Sequence, residues 1–191
     1  MKLLLASLAI VASTAASAVA ADPIGDWMVK DGYGVIRIDN CNGKMWGIVA
    51  WEKAAGVDKE NPDPAKRARP TLGVPILLGM APTQPNKWEG EIYNTENGKT
   101  YSGNISMVDE GTLALEGCLF TNFLCGGQKW TRVTTLPSTG VSLQSSQAKA
   151  QTKAPSKQAT QAAPSEVCTR VAAETGQPAT GQPAAKGSAK K

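Results

Sequence analysis

Tight-turn pairs at regular intervals, each set between two short alternating apolar segments, constrain this chain more than any other feature. Gly34-Val35-Ile36-Arg37-Ile38-Asp39 alternates toward its end, Asn42-Gly43 follows, and Met45 to Glu52 reads as the returning strand. Both residues of an Asn-Gly pair tolerate positive φ, which a two-residue hairpin turn demands. Trp88 to Tyr93 is another strand, turning at Asn97-Gly98 into Thr100 to Val108. Asp109-Glu110-Gly111 then turns into Thr112 to Cys118, and Gln128 to Thr134 ends the series around Trp130. No stretch longer than a turn or two has a helical period. The chain therefore reads as all-β. Its antiparallel strands must bury their edges. Joined by short hairpins, they do so better in a single small antiparallel β-barrel than in a sandwich. Gly90 and Gly117, inside strands, predict bulges or bends that curve the sheet.

One connection breaks the pattern. Lys53 to Pro75 holds Pro62, Pro64, Pro70 and Pro75 among Asp58, Glu60, Asp63, Lys66, Arg67 and Arg69. A loop of that length is functional or lacks structure. A short helical turn after Pro64 is predicted, and the sheet resumes over Pro75 to Met80.

The two ends differ from the middle. Lys2, the apolar run Leu3 to Val11 and Ala18-Val19-Ala20 form a signal peptide over 1–20, cleaved before Ala21. The run is shorter than the roughly 20 residues that span a bilayer. No transmembrane span is expected in the mature chain, which is read as exported to the periplasm or secreted. Residues 137–191 contain no aromatic residue and are dominated by Ala, Gln, Ser, Pro and Lys. That composition reads as a disordered tail. The tail carries seven Lys and Arg against two Glu, whereas the whole chain is only +4. With Lys2 set aside, the body at 21–136 is mildly acidic. Nucleic acid is therefore not an expected partner. A basic tail could rest weakly on an anionic envelope surface, or simply act as a solubilising spacer.

The chain has no histidine, which excludes Ser-His-Asp and Cys-His catalysis and histidine-bearing zinc or haem sites. No cofactor, metal site or catalytic residue is expected. Glu89 and Glu91 share one strand face at a spacing that overlaps the inverting-glycosidase range. They alternate with Trp88, Gly90 and Ile92, so they read as solvated, and a carboxylate hydrolase ranks last.

Asn61-Pro62-Asp63-Pro64, then Arg67, Arg69-Pro70 and Gly73, Trp88, Gly90, Ile92-Tyr93, Gly98-Lys99, Tyr101, Gly117-Cys118 and Trp130-Thr131-Arg132 together resemble the DUF2147 family of small exported bacterial proteins. The likeness runs from about Ile24 to Val133. It implies a barrel similar to lipocalins or fatty-acid-binding proteins and implies no catalytic residues. Two positions depart from the pattern. Trp46 stands where the family often has Cys, which unsettles any pairing at that position, and Asn94-Thr95 replaces an Asp-Pro.

The body thus reads as a non-enzymatic barrel that binds a small apolar or amphipathic ligand. Trp88, Tyr93, Tyr101 and Trp130 are candidates to line it, and Asp58, Asn61, Arg67 and Arg69 to form a polar mouth. Two alternatives stand beside this. The aromatics could fill the barrel of an envelope interaction module, and the loop charges could merely pair with one another. Export favours disulfides. Cys118 and Cys125 bracket a short loop and are the favoured bridge. Cys41 either pairs with Cys168, pinning the tail, or Cys168 bonds to another molecule.

Overall fold

The computed structural model describes residues 21–119, 124–143 and 165–176. The expected signal peptide lies outside these residues, as does most of the expected tail. Eight antiparallel strands form the body: β1 Gly25–Met28, β2 Gly34–Cys41, β3 Lys44–Glu52, β4 Pro75–Gln84, β5 Lys87–Asn94, β6 Lys99–Asp109, β7 Thr112–Leu119 and β8 Leu124–Val133. Each pairs with the next, and β1 pairs with β8, so the sheet closes into an up-and-down barrel.

The turns explain the order. Asn42 and Gly43 join β2 to β3 with φ of 57° and 84°, the left-handed pair that matches strand twist. Between β5 and β6, Gly98 has φ 68°. A Cβ there would lie on the Glu60 carbonyl of the long loop, so only glycine fits. Gly90, Gly103, Gly117 and Gly126 lie in register across β5 to β8. This row leaves part of the lumen wall without side chains. Gly90 faces a bulge in β4, between Leu78 and Ala81. Gly117, where a bulge or a bend is predicted, makes no bulge: it pairs in unbroken register with both neighbours.

Strand β3 is buried on both faces. Met45 and Val49 join the barrel core with Trp27, Ile38 and Leu77. Trp46, Ile48 and Ala50 point outward into a second core, which comes from the segment read as a tail. Among the described residues, two pieces of that segment are folded. Strand β9, Val141–Ser142, pairs with Trp51 and Glu52 of β3. Helix α1, Glu166–Thr175, buries Val167, Cys168 and Val171. Ser165 caps its start by accepting from the Cys168 N–H at 3.2 Å, and Gly176 ends it in the left-handed conformation. Only three buried positions distinguish this helix from its polar surroundings, so bulk composition hid it. No helix among the described residues is long and apolar enough to cross a membrane.

Two disulfides hold the chain. Cys118–Cys125 ties β7 to β8, and Cys41–Cys168 ties α1 to the end of β2. From that tether the helix runs along the wall toward the long loop. Glu174 there accepts from Arg69 Nη1 at 2.8 Å and Lys66 Nζ at 2.9 Å. Near the tether, Glu166 lies 3.6 Å from Arg37, whose guanidinium also pairs with Asp26 through two bonds of 2.7 and 2.8 Å.

Candidate functional site

The barrel is filled at one end and hollow at the other. In the filled half Trp27, Ile38, Met80, Trp88 and Met107 pack together. Arg132 of β8 closes that end. Its guanidinium carbon sits 4.2 Å from the Trp27 ring centroid, within cation–π range. Its nitrogens donate to the carbonyls of Asp22, Ile24 and Glu110, crossing from the chain's entry segment to the β6–β7 turn. Trp27 Nε1 donates to the Pro23 carbonyl at 2.8 Å.

The hollow half is a cavity of about 780 Å³, a size typical of small-molecule sites. Ile36, Val49, Ile76, Ile92, Leu115 and Trp130 give it an apolar wall. Its mouth lies between the β1–β2 turn, the β5–β6 turn and the β7–β8 hairpin, with Tyr33, Tyr101, Glu52 and Gln128 at the border. Trp130 is 2% exposed, and its buried Nε1–H has no acceptor among the described residues. Tyr101 faces inward, and its hydroxyl accepts from Asn97 Nδ2 at 2.8 Å.

Glu52 reaches this mouth through a one-residue irregularity. Val35 pairs with Trp51, but Ile36 pairs with Val49. Ala50 is therefore an extra residue, and such a bulge reverses which face the following side chains take. Trp51 turns outward, where its Nε1 donates to the Thr139 carbonyl at 2.7 Å. Glu52, opposite Gly34, turns to the lumen side.

Of the four aromatics expected in the lumen, Trp130 and Tyr101 line the cavity and Trp88 packs in the filled half. Tyr93 borders the cavity too, but its strand neighbour Ile92 faces the core, which sends the Tyr93 ring to the outer face. Its hydroxyl donates to Asp58 Oδ1 at 2.7 Å and accepts from Asn61 Nδ2 at 3.0 Å. Asp58 is fully buried. Its Oδ2 accepts from Asn61 Nδ2 at 2.7 Å and Arg69 Nε at 3.0 Å. Arg67 Nε donates to the Asn61 carbonyl at 2.8 Å. The expected polar mouth is instead a cluster around the buried Asp58 and Asn61, with Arg69 half-buried and Arg67 exposed at its edge. It folds the loop over the outer face of β5 and binds it to α1, and none of its four residues borders the cavity. A buried carboxylate needs partners that remain in place, which is why Arg69 pairs with Asp58 inside the molecule, while Arg67 stays exposed. Glu89 and Glu91 are exposed on the outer face.

The cluster perturbs its own titration. Burial, then the bond to Asp58 and the charge of Asp58, push the Tyr93 hydroxyl up to about 12. Burial pushes Glu174 upward too, but the bonds from Lys66 and Arg69 outweigh it and hold that carboxyl below its ordinary value. An unfolded tyrosine ionises near pH 10. Between pH 10 and about 12 the unfolded chain loses a proton that the folded chain keeps. Stability is thus fully present below pH 10 and falls as pH rises through that window. Chemical unfolding at stepped alkaline pH should show this fall, and Tyr93→Phe should flatten it. An unchanged alkaline profile in the variant would mean that Tyr93 does not carry the effect.

Three features of the sequence bear on these placements. The parity of Trp88 and Ile92 already excludes Tyr93 from the lumen. Gly25-Asp26-Trp27 opens the first strand, which turn spacing did not reveal. Arg132 lies two positions after the lumen-facing Trp130, so it shares that face of β8.

Comparison with known proteins agrees with this architecture. Among solved structures, the chain is similar to one described as "Protein HP1028 from the human pathogen Helicobacter pylori belongs to the lipocalin family". The two share 21% identity and a TM-score of 0.55, over 60% of this chain and 84% of that one. At that identity the likeness speaks for the fold, a lipocalin-like barrel. No curated protein matches the chain. The model of the family described as "Uncharacterized protein conserved in bacteria (DUF2147)" matches residues 25–132, most of the barrel, and the chain belongs to that family.

Proposed function

We propose that this protein is an exported, non-enzymatic binder that carries a small apolar or amphipathic molecule in its barrel. One observation carries the reading: the half-filled lumen, sealed at the Trp27–Arg132 end and hollow over about 780 Å³ at the other. A barrel whose only task was structural would gain by filling that space, since each missing contact in a core costs stability. The Trp130 indole N–H, which has no acceptor among the described residues, adds to this. A buried donor without an acceptor costs about 1–3 kcal/mol, and an acceptor brought in beside it would relieve that cost. Two disulfides suit an oxidising compartment. The lipocalin-like fold supports ligand binding by analogy.

Blocking the cavity tests the reading. Gly117 borders it, and a Cβ there meets Tyr101 Cβ at 3.5 Å and Ile92 Cδ1 at 3.6 Å, ordinary contacts. Gly117→Phe should therefore fold, place its ring in the hollow, and weaken binding of medium-chain alcohols at least tenfold. Native mass spectrometry of the oxidised mature chain supplies the second readout: a mass excess that leaves on activation in the parent protein and is missing in the variant. Failure of the parent to bind any apolar probe, with no retained mass, would overturn the proposal.

A further inference from the structure

The cavity mouth holds one acidic group that no described residue compensates. Glu52 is half-buried and turned to the lumen side by the Ala50 bulge. Among the described residues no cation pairs with it and no donor bonds it. The other charges around the mouth cancel: Lys30 and Lys53 are exposed, and so are Asp31 and Glu96. Exposed charges of this kind are screened by water and salt. Partial burial leaves Glu52 less screened and raises the strength of any bond it accepts.

Aromatic residues line the same cavity. Tyr33 is 65% exposed at the same mouth, and the Lys53 ammonium lies 5.2 Å from its ring centroid. That ring already takes a cation. Tyr101 borders the opposite wall. The arginines expected to hold an anionic head do not border this cavity, and Arg69 is engaged by Asp58 and Glu174.

Resting on the carrier reading above, we infer that the ligand class is an amphipathic amine. Its apolar body lies against Ile36, Val49, Ile92 and Leu115, and its ammonium is bound by Glu52 beside the Tyr33 face. A charge-assisted bond of this type, together with a cation–π contact, favours the amine over a neutral head by about tenfold.

Three probes with the same tail separate the terms: dodecylammonium, dodecanol and dodecanoate, each titrated calorimetrically below its aggregation concentration at pH 7 into the full oxidised chain. Dodecylammonium should bind about tenfold tighter than dodecanol, and dodecanoate more weakly than either. Glu52→Gln should bring the amine to the level of the alcohol. Tyr33→Ala, at an exposed position with little bearing on folding, should lower the amine preference several-fold. Equal binding of all three probes, or a preference that survives Glu52→Gln, would overturn the amine assignment while the alcohol data still uphold the carrier. Binding of none of the three would overturn both.

Discussion

Replacing Cys41 and Cys168 together by serine lowers the unfolding free energy by about 4–5 kcal/mol, roughly double the loss from replacing Cys118 and Cys125. The first bridge spans 127 residues and the second 7. In the chain-entropy model a cross-link stabilises by restricting the unfolded chain, and the effect grows with the logarithm of loop length. Applied to these separations, the model yields about 5 and about 2 kcal/mol. Urea unfolding of the two double variants against the oxidised parent measures both. The longer bridge has a local consequence too. A helix of 10 residues is too short to persist alone in water. Without its tether, α1 keeps the burial of Val167 and Val171, the Glu174 bonds and the Glu166–Arg37 pair. Amide exchange over 166–175 should then become the fastest of any regular element. Equal losses from the two variants, or α1 amides that stay protected, would show that packing rather than the bridge holds the helix.

Trp27→Ala is the second large effect, at about 3–5 kcal/mol. Trp27 is fully buried, and truncating an aromatic in a packed core removes its transfer free energy and leaves a void. Here the ring is also the platform for the Arg132 guanidinium. Without it, the group that links the entry segment to the β6–β7 turn is left less well placed. Trp27→Phe keeps an apolar face and should recover most of the loss. Thermal unfolding of the two variants measures this. A loss below about 1 kcal/mol for Trp27→Ala would mean that the base of the barrel is held by the strands alone.

The barrel was legible because its signals are local. Asn42-Gly43 and the turn ending at Gly98 act within a few residues, and period-two alternation survives in β5 to β7. The site was less legible, for two reasons. A bulge inserts one residue, and nothing around Ala50 announces it, so Glu52 could not be placed at the mouth from its sequence position. The loop charges have partners far along the chain: Asp58 meets Tyr93, and Arg69 meets Glu174. Pairing of Asp58 with Arg69 inside the loop was one of two readings open in the sequence. Helix α1 escaped because its apolar content is small and its stability comes from a bridge and a wall supplied by other segments.

The disulfides are nested, Cys118–Cys125 inside Cys41–Cys168, and nesting bears on the order of assembly. As the chain emerges from its N-terminus, Cys41 encounters Cys118 and Cys125 well before Cys168 exists. An oxidant acting strictly in order of appearance would join the wrong thiols. The barrel opposes this by geometry. Cys41 ends β2 at the closed rim, whereas Cys118 and Cys125 stand at the open rim, a strand length of roughly 25 Å away. Once the sheet closes, the mispairing is out of reach, and Cys41 is held beside the wall where α1 will dock. Closure before oxidation thus sorts the thiols, and a chain oxidised while still open would depend on disulfide reshuffling to reach the same state.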